Sequence, residues 1–68
     1  MKDFCTHKIV ITDADGATRE EHQYENIDFL DLCRGQIVDA AQPGDTITFY
    51  RWDTGAGWVT YETEEVSA

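Results

Sequence analysis

Basic residues are scarce in this chain: five Lys and Arg stand against fourteen Asp and Glu in 68 residues, a formal charge of −9. Five scattered cations cannot build a stripe that tracks phosphates, and the surrounding field repels nucleic acid and anionic membrane surfaces. Long apolar runs are missing too, none approaching the ~20 residues of a membrane-spanning helix. Met1–Phe4 lacks the apolar core of a secretory signal, so the expected location is the cytosol. Serine occurs once, as Ser67, and neither His7 nor His22 lies in a Cys–His or Ser–His–Asp context. With no nucleophile–base pair in sight, the chain is not expected to be an enzyme.

Cysteine occurs only as Cys5 and Cys33. Two cysteines without a secretory signal do not make a disulfide framework, and both read as small, partly buried apolar residues. A bridge between them stays open as an alternative. Together with His7 and His22 they supply zinc-ligand types, yet no C-x2-C or H-x3-H spacing is present. Asp13 and Asp15 before Gly16 imitate the start of a calcium loop, but the glycine comes too early and Tyr24 stands where a bidentate Glu belongs. No phosphate-cradling glycine loop is found either. No metal and no cofactor are expected.

What is present suits a packed sheet: 41% hydrophobic and 12% aromatic residues argue against disorder despite the charge. Residues 1–68 are expected to form a single domain, near the lower size limit for an unstapled core. Phe4–Thr12 alternates as a strand, with Cys5, His7, Ile9 and Ile11 on one side. Asp13–Gly16 is a hairpin turn, and Ala17–Glu25, polar on both faces, returns as an edge strand. Asn26 is a helix N-cap for Ile27–Ala41, with Ile27, Leu30, Cys33 or Arg34, Ile37, Val38 and Ala41 at helical spacing. Gly35 inside that helix should cost roughly 1 kcal/mol relative to Ala, and close contact with the sheet would account for it. Gln42–Asp45 ends the helix. Thr46–Trp52 and Gly57–Glu64 form a second hairpin around a glycine-containing loop. The result is an α+β fold, ββαββ, with two hairpins in an antiparallel sheet and the helix packed on one face.

One helix covers one face only. With Ile47, Phe49, Val59 and Tyr61 turned toward it, Thr48, Tyr50, Trp52, Trp58, Thr60 and Glu62 are expected on the other. Tyr50, Trp52 and Trp58 there serve either as cross-strand pairs or as an interface for an adaptor or homodimer. The acids are grouped as well. Glu20, Glu21 and Glu25 run into the helix start at Asp28 and Asp31, one turn apart, and suggest a continuous ridge. Glu62 and Glu64, two apart on a strand, sit roughly 6.5–7 Å from each other, near the spacing of neighbouring phosphates. Such a ridge suits a protein groove that ordinarily holds nucleic acid. The competing explanation is a solvated acidic surface that aids solubility.

In size, charge and layout, though in no diagnostic motif, the chain resembles the small acidic anti-CRISPR proteins encoded by phages and mobile elements, particularly those acting on type I complexes such as type I-C. The resemblance implies a binder of the Cascade surveillance complex that blocks target DNA by imitating its charge, in the cytoplasm of an infected bacterial host. DNA-mimicking inhibitors of other nucleases share this character. Its expected partner is a protein with a basic groove, such as a Cascade subunit, not nucleic acid or membrane, and it would act as a monomer or weak homodimer.

Overall fold

The computed structural model describes residues 4–67. Four strands and one helix follow one another as β1 (His7–Thr12), β2 (Thr18–Tyr24), α1 (Ile27–Ala40), β3 (Thr46–Asp53) and β4 (Gly57–Glu65). The strands form one antiparallel sheet in the order β2-β1-β3-β4, which is the ββαββ layout read from the sequence.

Local chemistry sets each boundary. Gly16, at φ 89°, takes the left-handed conformation that a β-carbon disfavours. The Asp13 carboxylate accepts the N–H groups of Asp15 and Ala17 and so tightens the first turn. Asn26 caps α1, its side-chain oxygen accepting the Phe29 N–H at 3.0 Å. At the other end the Ala41 N–H donates to Ile37 and Val38, and the chain leaves through Pro43 and Gly44. Asp45, 4% exposed, then accepts both the Gln42 N–H and the Arg19 guanidinium, tying the helix exit to β2.

The core is a thin layer between sheet and helix: Ile9, Ile11, Ile47 and Phe49 from the central strands and Leu30 from α1. Tyr24, Ile37, Val38, Ala41 and Val66 close around it. Placing the two apolar strands in the middle and polar β2 at the edge follows from this, because an edge strand needs cover on one side only. The seam between β1 and β3 joins the two hairpins, pairing His7 with Arg51 and Thr12 with Thr46.

One register shift alters the expected pattern. Between Phe49 and Tyr50 the β3–β4 pairing slips, so that Phe49 faces Glu62 while Tyr50 faces Thr60, and Tyr61 is the additional residue. A bulge of this kind breaks the two-residue alternation. Glu62 therefore lies on the helix side, contrary to the sequence expectation, whereas Thr48, Tyr50, Trp52, Trp58 and Thr60 occupy the open face as expected. Gly35 also departs from expectation. A β-carbon there would meet nothing within 4 Å, so close approach to the sheet is not the reason for the glycine.

Candidate functional site

The acidic ridge expected from Glu20 to Asp31 divides in the structure. Glu20 pairs across from Ile11 and Glu21 across from Val10, so the two point to opposite faces of β2. Glu21 lies 3.6 Å from Lys8 Nζ and accepts from the Gln23 amide. The Gln23 hydrogen bond, and after it the Lys8 charge, hold its carboxyl below the usual range. Glu20 contacts His22 Nε2 at 2.9 Å. Glu25, Asp28 and Asp31 form the other part of the ridge. All three are exposed, and none takes part in an ion pair among the described residues.

On β4, Glu62 and Glu64 share one cation. Arg34 donates through its Nη1 and Nη2 to the Glu62 carboxylate, and Nη2 lies 3.3 Å from Glu64. The same guanidinium stacks over the Phe49 ring at 4.3 Å. Two acids, Asp31 and Glu62, and one base, Arg34, act on the Tyr61 phenol. Burial is the main cause of its raised phenol, Arg34 opposes the rise, and the carboxylates of Asp31 and Glu62 add to it. The tie between helix and β4 that strand spacing alone does not reveal is Arg34, which reaches from α1 to Glu62 and Glu64.

Two apolar residues absent from the sequence reading lie exposed on the helix. Phe29 is 48% exposed and Leu32 is 76% exposed on α1, with Ile27 also exposed instead of packed inward. Only Leu30 of the helix is fully buried. At 100° per residue, Asp28, Leu32, Gly35 and Asp39 fall on one outward stripe, about 140–180° from Leu30. Phe29 and Leu32 were recognisable as apolar positions out of phase with the buried set.

The open sheet face carries the aromatic group. Trp52 and Trp58 meet edge to face at 5.4 Å, and Phe4 meets Trp52 in the same manner at 5.8 Å. Lys8 Nζ lies 5.0 Å from the Tyr50 ring centre and 4.7 Å from that of Trp58. Cross-strand packing is therefore real here, while Phe4 and Trp52 still present exposed ring surface.

Cys5 and Cys33 are free thiols, both half-buried. His7 Nδ1 contacts the Thr6 hydroxyl and His22 contacts Glu20. Among the described residues no group of three or more His, Cys, Asp or Glu is placed to hold a metal ion. No helix of the described residues is long and apolar enough to cross a membrane. No family model, curated protein or solved structure matches the chain.

Proposed function

We propose that this chain is a non-enzymatic inhibitor of the anti-CRISPR kind, binding a type I Cascade complex and occupying the basic groove that receives target DNA. The observation that carries this reading is the distribution of ion pairs. Lys8, Arg19 and Arg34 are engaged by Glu21, Asp45, Glu62 and Glu64, while Glu25, Asp28, Asp31 and Asp39 have no basic partner among the described residues. These uncompensated carboxylates, on a molecule of net charge −9, are available to Lys and Arg that otherwise meet phosphates. The mimicking surface supported by the structure runs along α1 toward Tyr61, rather than along β2. Leu32, 76% exposed beside Asp28 and Asp39 on the outward stripe of α1, supplies apolar contact within it.

The test is competition. Purified type I Cascade is incubated with the protein, and target-DNA binding is measured at two salt concentrations. Inhibition should weaken as salt rises. The triple variant Glu25→Lys, Asp28→Lys, Asp31→Lys should lose at least tenfold in inhibition while its circular dichroism is unchanged. Full inhibition by that folded variant would sink the mimicry reading.

A further inference from the structure

The open face of the sheet differs electrically from the rest of the molecule. Of the strand residues that register and alternation place on it, the charged ones are Lys8, Glu21 and Glu65, and the aromatic ones are Tyr50, Trp52 and Trp58. Lys8 and Glu21 already pair, and Glu65 sits at the far end of β4, opposite Thr46. The centre of the face is thus without net charge, Lys8 lying over the Tyr50 and Trp58 rings and paired to Glu21, with Val10 buried at 8% and Phe4 58% exposed at the rim. Elsewhere the chain displays most of its −9 charge.

We infer that this face is a self-association surface, closing two copies of the chain face to face about a twofold axis. Charge selects the occupant. Two molecules of charge −9 repel one another in every orientation that opposes their helices, and least when their neutral sheet faces meet. A basic partner gains nothing from a face without free carboxylates at its centre, and a nucleic acid is repelled by the molecule as a whole. A second copy needs only self-complementarity, which a twofold contact provides.

Area sets the strength. Strands about 4.8 Å apart and about 3.3 Å per residue make a four-strand face of roughly 19 by 25 Å, so its burial in both copies removes on the order of 1,000 Å². That is at the threshold for a specific interface, and so describes a concentration-dependent dimer instead of an obligate one. The contact would pack the sheets as a sandwich, with Trp52 and Phe4 as the anchors.

Sedimentation of the full chain, from about 1 µM to 1 mM at low and high salt, tests this without any other partner. The expected result is a monomer–dimer equilibrium that strengthens with salt, because screening removes the repulsion between copies. That sign is opposite to the one expected for a complex with a basic groove, so the two readings fail separately. Thr60→Glu, which adds a carboxylate to the contact in both copies, and Trp52→Ala should each weaken dimerisation at least tenfold. Leu32→Ser, on the outward side of α1, should leave it unchanged. Circular dichroism confirms the fold of each variant; should Thr60→Glu unfold the sheet, Trp52→Ala decides. A chain monomeric throughout, or a dimer that survives Trp52→Ala or is lost in Leu32→Ser, overturns the inference.

Discussion

Glu62 illustrates how one backbone irregularity can change the chemistry of a side chain. The bulge after Phe49 turns it to the helix side, where Arg34 meets it. Hydrogen bonds from the guanidinium are the main cause that holds its carboxyl below the usual range; burial opposes slightly, and the Arg34 charge adds to the lowering. A carboxyl lowered in the folded chain contributes stability above its unfolded value and loses it as pH falls through the folded value. The glutamate should therefore support the fold at neutral pH and cease to do so below the ordinary carboxylate range. Urea midpoints from pH 7 down to about pH 3 should show a flatter acid limb for Glu62→Gln, with a lower midpoint at pH 7. An acid limb as steep as the wild type would show that the pairing does not govern it. Asp45 is the buried counterpart. Two hydrogen-bond donors, the Gln42 N–H and Arg19, converge on it, so its charge is compensated where water cannot reach.

At the scale of elements, α1 is held chiefly by Leu30, with Ile37 and Val38 half-buried beside it. Gly35 adds nothing to that packing, since a β-carbon there would touch nothing. Gly35→Ala should raise unfolding stability by about 1 kcal/mol, read by urea denaturation. An unchanged or lowered stability would mean that the glycine serves the folded chain in another way. The helix was legible because Asn26 and the Pro43-Gly44 pair mark its two ends, and Leu30, Ile37 and Val38 give it a phase. The strands were legible from their alternation and from the Asp-Gly turn. The bulge was not, since an extra residue in β4 leaves no compositional mark and only pairing with β3 reveals it. For that reason the sequence put Glu62 with the aromatics. Contiguity misled in the ridge as well: Glu20 and Glu21 are adjacent in sequence but on opposite faces of a strand, whereas Arg34 and Glu62, distant in sequence, meet as an ion pair.

For the molecule as a whole, charge and fold oppose each other. Fourteen acids stand against five bases, and the mutual repulsion of the excess acids destabilises the compact state. Raising sodium chloride from about 0.01 to 0.5 M at pH 7 should therefore raise the melting temperature by several degrees, measured by circular dichroism at dilute protein to keep self-association out. A melting temperature that falls with salt would mean that the ion pairs of Lys8, Arg19 and Arg34 outweigh the repulsion. The seam between β1 and β3 has a kinetic consequence. Each hairpin closes through a short local turn, but the seam joins residues 34 to 44 positions apart, from Thr12–Thr46 to His7–Arg51. Closing that long loop precedes the contacts that reward it. Folding should wait on this one joint, and in the folded molecule it is the line along which the hairpins would part, so amide protons across it are the natural reporters of global opening.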